Sequence, residues 1–328
     1  MISVVIPAFN AAATLDLCLD ALACQTVAAD SYEVLVVDDG SSDDTPSRAA
    51  AHPGVRLLSQ AHAGPAAARN LGTRQAHGRI VLFTDADCAP ARDWIERMTA
   101  PFSAAEAGAP PVAGVKGTYR TSQRQLVARF VQAEYEEKYH RMARQDTIDF
   151  VDTYSAGYRR DVFVESGGFD TRFPVDSVED QELSFRLARR GYRMVFVPQA
   201  QVTHWGHPKS LAAYWRRKFK IGYWKVVVVR RHPGKLWSDS HTPQSLRLQI
   251  LLAALVGVCL LGAILWPPLG WGSGAGALLF LATTFPFSYN AWRKDRAVAV
   301  AAPLLFLTRA LALGVGFVAG LAASIRGH

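Results

Sequence analysis

The feature that most limits how this chain can fold is an uncharged run of 19 residues at 248–266, LQILLAALVGVCLLGAILW. Built as an α-helix it would be about 28 Å long, close to the roughly 30 Å thickness of a bilayer's hydrocarbon layer, so it predicts a transmembrane helix. A second apolar run reaches Tyr289, and a third covers 297–325 with Arg309 inside it. We expect Arg309 at a cytoplasmic helix end or snorkelling there, although each run would also suit a buried helix of a soluble core.

Charge is distributed unevenly around these runs. The segment 204–247 contains ten basic residues and a single acidic one, and the loop at 293–296 is also basic. Because cytoplasmic loops carry the excess of Lys and Arg, both segments are expected on the cytoplasmic side. The four cysteines lie far apart without a CxxC pair, which argues against a disulfide framework or a cysteine zinc site. We expect a multi-pass protein of the inner (cytoplasmic) membrane whose N-terminal part faces the cytosol.

The first 205 residues alternate between strand and helix patterns. Short apolar runs at 2–6, 33–37, 55–58 and 80–84 are continuous enough for strands buried on both faces. Helices are expected between them, over 64–76 and at the helical spacing of Leu15, Cys18, Leu19 and Leu22. Strand, helix, strand at this spacing predicts a right-handed parallel sheet, whose ligands bind beyond the carboxyl ends of the strands.

Acidic residues follow two of these strands. Asp38 and Asp39 end the second strand, and Asp85 and Asp87 follow the fourth. Carboxylates gathered at one sheet edge repel each other, and a divalent cation with oxygen ligands relieves that repulsion. The sequence has neither a GxxxxGK[ST] loop nor a GxGxxG turn after the first strand, so a metal is expected to neutralise any diphosphate.

Six motifs occur in one order: VVIPAFN, VVDDGSSDDT, GPAAARNLG, FTDADC, SAGYRRDVFVESGGFD and EDQEL. In this order the chain resembles glycosyltransferase family 2 enzymes over about residues 1–225, as a membrane-anchored member of bacterial type. The resemblance implies a GT-A fold, an α/β Rossmann-like mixed sheet flanked by helices, here followed by C-terminal transmembrane helices. We expect a nucleotide-sugar-binding catalytic domain over 1–205, a basic aromatic interfacial region over 206–245, and a membrane domain over 246–328 with two to three transmembrane helices.

The resemblance also implies roles for donor-binding residues. Asp39 would accept hydrogen bonds from the nucleotide base, and Arg69 would help to hold the nucleotide. The loop expected to pack around the base consists of Pro7, Ala8 and Phe9. Asp38 and Asp39 would also suit an ordinary turn before Gly40, and Arg69 would also suit a solvent-facing position.

A second set of implied roles concerns the metal. Asp87 would ligate Mg²⁺ or Mn²⁺, and Asp85 would contact the ribose, the metal or a metal-bound water. His204 matches a histidine that helps to hold metal or diphosphate in some members. The alternatives are that Asp85 and Asp87 cap the next helix and that His204 is a packed or surface residue.

Asp180, at a helix start, would be the general base of the reaction, with Glu179 as its rival. The alternative is a structural role, because Ser177 followed by Asp180 resembles a capping box and acidic residues in a first turn suit the helix dipole.

The helix expected over 208–232 carries Trp215, Phe219 and Tyr223 on one face amid basic residues. This pattern favours membrane lipid over nucleic acid as a partner, because membrane segments follow. The chain has YWRRKFKIGYW where processive synthases of the family carry QxxRW, which favours single additions.

Together these features predict an inverting, non-processive glycosyltransferase that uses a UDP-linked or similar sugar donor and Mg²⁺ or Mn²⁺. Its acceptor would be a lipid-linked or membrane-proximal glycan. One alternative is transfer to polyprenyl phosphate, which makes a lipid-phosphate sugar donor. Another is a non-catalytic membrane protein that binds a nucleotide sugar without turnover.

Overall fold

The computed structural model describes residues 1–103, 111–173, 178–236, 239–240 and 242–325. The chain divides into two compact units. The sheet unit comprises Met1–Ser122, Tyr139–Gly206 and Asp239–His241, and the helical unit comprises Gln123–Lys138, His207–Ser238 and Thr242–His328.

The sheet unit is built on one eight-stranded sheet. Its strands, in chain order, are β1 (Ile2–Ala8), β2 (Tyr32–Asp38), β3 (Val55–Ser59), β4 (Ile80–Phe83), β5 (Cys88–Pro90), β6 (Val112–Arg120), β7 (Ala156–Arg159) and β8 (Arg193–His204). The order across the sheet is β3-β2-β1-β4-β7-β6-β8-β5. The first four strands are those predicted from the apolar runs, and they are parallel to one another.

Beyond β4 the sheet is mixed. Strand β7 runs antiparallel to both β4 and β6, β6 and β8 are parallel, and β5 is antiparallel to β8. The mixed sheet of the expected GT-A fold is therefore confirmed. The all-parallel arrangement suggested by strand-helix alternation was wrong for β5–β8. These strands are not joined by the repeated strand-helix-strand crossovers that produce a parallel sheet.

Among the residues described before 206, seven segments are α-helices. They are α1 (Leu15–Ala23), α2 (Thr45–Ala51), α3 (Pro65–Gln75), α4 (Trp94–Ser103), α5 (Leu126–Met142), α6 (Arg160–Glu165) and α7 (Glu179–Arg189). The predicted spacing in α1 is confirmed, since its buried residues are the four apolar ones named above. Helix α3 confirms the alanine-rich segment, with Gly64 and Ala76 as its flanking residues. Helix α5 belongs to the helical unit up to Lys138.

The core of the sheet unit forms because its central strands are apolar on both faces. Val5 of β1, Val37 of β2 and Phe83 of β4 are fully buried in one cluster with Phe163 of α6 and Leu183 of α7. This packing leaves the polar residues that follow β1, β2 and β4 at the strand ends, where the candidate site lies.

The helical unit contains the C-terminal helices. They are α8 (Leu211–Arg231), α9 (Gln244–Gly262), α10 (Leu269–Trp292) and α11 (Arg296–Ile325). Within the described residues, two segments are long and apolar enough to cross a membrane, Ser245–Gly262 in α9 and Arg296–Ser324 in α11. The second predicted run forms α10, a helix of 24 residues with Pro286 inside it.

The interpretation of Arg309 as a helix-end or snorkelling residue was wrong. It lies in the interior of α11 and is 3% exposed. Its guanidinium pairs with Glu134 of α5 and donates to Gln249 Oε1 at 2.6 Å, and the Tyr214 hydroxyl donates to Glu134 at 3.0 Å. Burial alone would raise the pKa of Glu134, but the charges of Lys218 and Arg309 lower that pKa to about 2.

Helix α8 confirms the helix expected over 208–232. It packs closely along α11, because a Cβ placed on Gly316 would lie 2.3 Å from the carbonyl oxygen of Phe219 and 3.0 Å from the amide nitrogen of Tyr223. The backbone of α8 at Phe219 and Tyr223, two residues of the aromatic face, therefore packs directly against α11. An interfacial position for this helix stays a prediction.

Candidate active site

The loops after β1 and β2 meet at one edge of the sheet. The β1–β2 register pairs Ala8 with Asp38, so both strands end together. Beyond them, the Asn10 amide donates to Ser41 Oγ at 2.9 Å, and Asn10 Oδ1 accepts from the Ser42 amide at 2.9 Å. The structure thus brings the residues that follow β1 and the DDGSS segment side by side, as their positions after neighbouring parallel strands predict. Pro7 and Ala8 belong to β1 itself, so of the loop predicted at 7–9 only Phe9 lies beyond the strand.

Asp39 is buried and organises the loop that precedes α3. Its Oδ1 accepts from Gln60 Nε2 at 2.6 Å and from the Ala63 amide at 2.9 Å. Its Oδ2 accepts from the Gly64 amide at 2.9 Å and lies 2.8 Å from His62 Nδ1. Asp39 is therefore more than a turn residue, because it ties the end of β2 to the start of α3. Its contact with a nucleotide base stays a prediction.

His62 lies beside Asp39 but is not among the site residues predicted from the sequence. The imidazole stacks on the exposed ring of Phe9, with ring centroids 4.2 Å apart and an interplanar angle of 29°. An aromatic pair therefore stands at the predicted nucleotide loop. The sequence indicates His62 as a site residue only through its position, because it lies between the third strand and α3, where a loop at the edge of the sheet is expected.

Arg69 is 2% exposed, so the solvent-facing alternative was wrong. Its Nη2 donates to Asp85 Oδ1 at 2.7 Å, and its Nη1 donates to Glu179 Oε1 at 3.4 Å. The guanidinium also lies 5.8 Å from the ring centroid of Phe169. Arg69 therefore joins the acidic segment after β4 to the start of α7.

This bridge separates the two rivals for the general base. Glu179 is 1% exposed and its carboxylate faces Arg69, whereas Asp180 is half-buried. Helix α7 begins at Glu179 with Val178 as its N-cap, without a side-chain cap hydrogen bond, and Asp180 Oδ1 accepts from the adjacent Gln181 amide at 2.7 Å. Ser177, invoked in the capping alternative, lies outside the described residues. Asp180 is therefore the more accessible of the two carboxylates, and its role as the general base stays a prediction.

The residue after Arg69 has a structural role. Asn70 Nδ2 donates to the Phe169 carbonyl at 2.7 Å, and Asn70 Oδ1 accepts from the Phe169 amide at 2.9 Å. This pair fastens the AARN segment of α3 to the GGFD turn. Two of the motifs that suggested the family are therefore in contact.

Asp87 and His204 meet because β5 pairs with the end of β8. The register sets Cys88 opposite His204, and Asp87 Oδ2 lies 3.5 Å from His204 Nε2. Because β5 separates the acidic segment from α4, which starts at Trp94, the helix-capping alternative for Asp85 and Asp87 was wrong. His204 is buried, with its ring 5.2 Å from that of Tyr119.

The residues present fit a divalent cation. Potential ligand atoms of Asp87, Cys88 and His204 lie within 4.8 Å of one another. A Cβ added to Gly206 would lie 2.0 Å from Asp87 Oδ2 and 3.0 Å from His204 Nε2, so the glycine keeps open the space beside both atoms. Burial and the nearby aspartates raise the pKa of the Cys88 thiol, which leaves a carboxylate and an imidazole as the available donors. Asp85 faces Arg69, so its role as a metal ligand stays a prediction.

Comparison with known proteins agrees with this architecture. The model of "Glycosyl transferase family 2" matches residues 3–167, and that of "Glycosyl transferase family group 2" matches residues 90–318. The glycosyltransferase AglE of Haloferax volcanii is 30% identical over 236 residues, which are 69% of this chain and 73% of that protein. The pre-mycofactocin glycosyltransferase of Mycobacterium tuberculosis is 30% identical over 211 residues, which cover 62% of this chain but 43% of that protein.

A solved structure shares the fold. The mannosyltransferase PcManGT from Pyrobaculum calidifontis, in complex with GDP-Man and Mn²⁺, matches with a TM-score of 0.61 at 21% identity, covering 98% of this chain and 86% of that chain. The sheet order, the strand-end residues and the matched family models lead to one conclusion. The chain is a glycosyltransferase of the GT-A fold that belongs to glycosyl transferase family 2.

Proposed function

We propose that this glycosyltransferase is an inverting, non-processive enzyme that uses a divalent cation. It would move a sugar from a nucleotide-diphosphate sugar, UDP-linked as the family resemblance implies, to a lipid-linked or membrane-proximal acceptor. The observation that carries the proposal is that the acidic segment after β4 contacts both the candidate metal ligand His204 and, through Arg69, the start of α7. Asp87 faces His204, while Asp85 shares Arg69 with Glu179, the residue before Asp180.

Asp87 and His204 would hold the cation. Mn²⁺ accepts both a carboxylate oxygen and an imidazole nitrogen as ligands. Mg²⁺ prefers oxygen ligands and would be bound mainly by the carboxylate. When bound, the cation stabilises the negative charge of the leaving diphosphate. PcManGT, whose solved complex contains Mn²⁺, has the same fold.

Asp180 would act as the general base. Its carboxylate takes the proton of the acceptor hydroxyl while the acceptor oxygen bonds to the anomeric carbon. The bond between that carbon and the diphosphate oxygen breaks, and the nucleoside diphosphate leaves with the electron pair. Attack from the face opposite the leaving group inverts the anomeric configuration, and positioned proton transfer contributes about 10²- to 10⁴-fold in rate.

Arg69 would contribute through position. Its guanidinium lies between the carboxylates of Asp85 and Glu179, offsets their mutual repulsion, and fixes the start of α7 relative to the end of β4. Asp180 follows directly on this fixed point. The base is thereby held in place by a buried charge bridge rather than by a loop.

The helical unit would anchor the enzyme in the inner membrane. Large apolar side chains of α9, the following turn and α10 are exposed: Leu251, Val258, Leu261, Ile264, Leu265, Trp271 and Phe285. Soluble monomers rarely expose contiguous apolar patches above a few hundred Å². Together with the two segments able to cross a membrane, this exposure favours a bilayer as the surroundings of the unit and a lipid-linked acceptor as the substrate.

A reconstitution assay tests the proposal. The full chain in phospholipid vesicles with Mn²⁺ is given radiolabelled nucleotide sugars, with lipid-linked glycans or polyprenyl phosphate as acceptors. We expect transfer to a lipid-linked glycan, with an inverted anomeric centre by proton NMR. Asp180→Asn and Asp87→Asn should each lower the rate by about 100-fold or more, whereas Asp146→Asn, at an exposed position, should not.

Three outcomes would contradict the proposal. Undiminished transfer by both active-site variants would remove Asp180 and Asp87 from the chemistry. A retained anomeric configuration would exclude a single displacement. Transfer to polyprenyl phosphate alone would assign the enzyme to the synthesis of lipid-phosphate sugar donors.

A further inference from the structure

A buried polar network in the sheet unit includes Lys116 of β6, and the proposed reaction does not use it. Lys116 is 1% exposed and forms an ion pair with Asp152, which is also buried. The ammonium donates to the Tyr154 hydroxyl at 2.9 Å and lies 5.4 Å from the ring centroid of Phe150. Because a buried charge is tolerated only when it is paired and hydrogen-bonded, Lys116 and Asp152 fix each other's positions.

Three tyrosines extend this ion pair by hydrogen bonds that run in one direction. The Tyr154 hydroxyl donates its proton to Asp152 Oδ2 at 2.9 Å. The Tyr154 oxygen, 3.0 Å from that of Tyr139, must then accept there, so the Tyr139 hydroxyl is the donor. The Tyr139 oxygen in turn accepts from the backbone amide of Tyr119 at 3.1 Å. Lys116, Asp152, Tyr154 and Tyr139, which we call the Lys116 network, therefore hold the backbone of β6 at Tyr119.

The ring of Tyr119 is held as well as its backbone. Tyr119 is 3% exposed. Its ring meets that of Tyr154 nearly edge to face, with centroids 4.5 Å apart and 69° between the planes. It meets the ring of Tyr139 in the same manner, at 6.2 Å and 84°. Aromatic pairs favour this arrangement beyond the area that they bury, so the ring of Tyr119 has one well-defined orientation.

This ring lies against the imidazole of His204. The β6–β8 register sets Tyr119 opposite Val202, so His204, two residues further along β8, lies on the same face of the sheet. The centroids of the two rings are 5.2 Å apart, with 31° between the planes. The imidazole is thus packed against a fixed surface, while its Nε2 lies 3.5 Å from Asp87 Oδ2.

We propose that Tyr119 is a positioning residue for the cation, because it holds the imidazole of His204 with Nε2 turned towards Asp87. The Lys116 network keeps the ring of Tyr119 in place. Groups that orient a metal ligand typically account for about 10- to 100-fold in metal affinity. This inference rests on the proposed function, since it takes His204 as a ligand of the cation. It goes beyond that function by giving a role to residues that touch neither the cation nor the donor.

Manganese binding tests this role independently of transfer activity. The full chain in detergent is titrated with Mn²⁺, alone and in the presence of UDP or GDP, and bound Mn²⁺ is measured by electron paramagnetic resonance. Electron spin-echo modulation by nitrogen nuclei reports whether an imidazole ligates the Mn²⁺. In every condition in which Mn²⁺ binds, we expect nitrogen coupling in the wild type and its loss in His204→Ala.

The matched pair of variants is Tyr119→Leu and Tyr119→Phe. Leucine removes the ring that packs against the imidazole, so Mn²⁺ should bind on the order of tenfold more weakly and with altered nitrogen coupling. Phenylalanine keeps the ring and should restore both the affinity and the coupling. The control is Phe163→Leu, which removes a buried ring from the core of the same unit. It should lower the melting temperature but leave Mn²⁺ binding unchanged.

Tyr154→Phe tests the Lys116 network, and it supplies the test of the inference should Tyr119→Leu fail to fold. This variant keeps the ring beside Tyr119 but removes the hydrogen bonds to Asp152 and Tyr139. We expect Mn²⁺ binding to weaken several-fold, with the same alteration of the nitrogen coupling.

The outcomes separate this inference from the proposed function. If Tyr119→Leu or Tyr154→Phe folds and binds Mn²⁺ with wild-type affinity and coupling, the positioning role is overturned while the enzyme assignment stands. Equal losses in Tyr119→Phe or in Phe163→Leu would refute the ring contact as the cause. If the wild type binds no Mn²⁺, or if His204→Ala keeps the nitrogen coupling, the proposed role of His204 fails and the inference fails with it.

Discussion

Replacing Arg69 should reveal how much the buried charge bridge contributes to stability. Arg69→Met removes the cation that lies 2.7 Å from Asp85 and 3.4 Å from Glu179. The Asp85 carboxylate is partly exposed and water can solvate it, but Glu179 is buried. Removing one partner of a buried ion pair costs about 3–5 kcal/mol, because the other charge stays in a medium of low dielectric constant. For a unit of this size, each kcal/mol lowers the melting temperature by about 2–4 °C.

The second variant separates charge from packing. In Arg69→Met/Glu179→Leu the buried carboxylate is also removed, and apolar replacements of similar volume are often as stable as the ion pair they replace. We therefore expect the double variant to regain most of the lost melting temperature. Both variants should lose transfer activity, because Asp85 and the start of α7 are no longer held together.

The assay is thermal melting of the full chain in detergent, followed by tryptophan fluorescence, with Arg74→Met as the control. Arg74 lies on the same helix and is exposed, so its replacement should leave the melting temperature nearly unchanged. If the double variant melts at or below the temperature of the single variant, the loss does not come from the Glu179 charge. The reasoning about the bridge would then be refuted.

Three further predictions follow from other parts of the chain. Gly206→Ala should weaken Mn²⁺ binding by about tenfold or more, because the added Cβ would fill the space beside Asp87 Oδ2. Electron paramagnetic resonance of Mn²⁺ measures this binding. The control Gly234→Ala, whose Cβ would have no atom within 4 Å, should leave Mn²⁺ binding unchanged. The pKa of Glu134 is lowered from 4.5 to about 2 in the folded protein, so its charge contributes about 3 kcal/mol to the free energy of unfolding above pH 4.5. This contribution is lost as the pH falls towards 2. Denaturant unfolding at pH 5.5 and pH 3 should show the loss, and Glu134→Gln should lack this pH dependence. Iodoacetamide at pH 7.5 should label exposed Cys24 rapidly and leave the buried thiol Cys88 unmodified, as mass spectrometry of tryptic peptides would show; equal labelling would contradict the burial of Cys88.

The central part of the fold is predictable from sequence because its signals are local. The apolar runs that form β1–β4 are continuous, and the buried residues of α1 repeat at helical spacing. The mixed half of the sheet is different. Strand β5 is three residues long and finds its place only by pairing with β8, more than a hundred residues away in the chain. Pairing at that distance leaves no periodicity that a sequence pattern can detect.

The candidate site shows the same division. The acidic residues after β2 and β4 could be placed at one edge because parallel strands end together. Their partners could not be, since Arg69 reaches Glu179 across 110 positions and His204 reaches Asp87 through the β5–β8 register. Arg69, expected to help hold the nucleotide, bridges two carboxylates in the structure, and its contact with the nucleotide stays a prediction.

Arg309 shows why hydropathy alone misplaces a charge. In an isolated apolar helix an arginine must reach water, and this requirement produces the expectation of a helix end or of snorkelling. In the helical unit the requirement is met by Glu134 and Gln249, which lie far away in the sequence and satisfy both terminal nitrogens of the guanidinium. The charge is therefore tolerated in the interior of α11 because its partners come from other helices. Replacing Glu134 should consequently destabilise the packing of α11 itself, and not only the helix that carries Glu134.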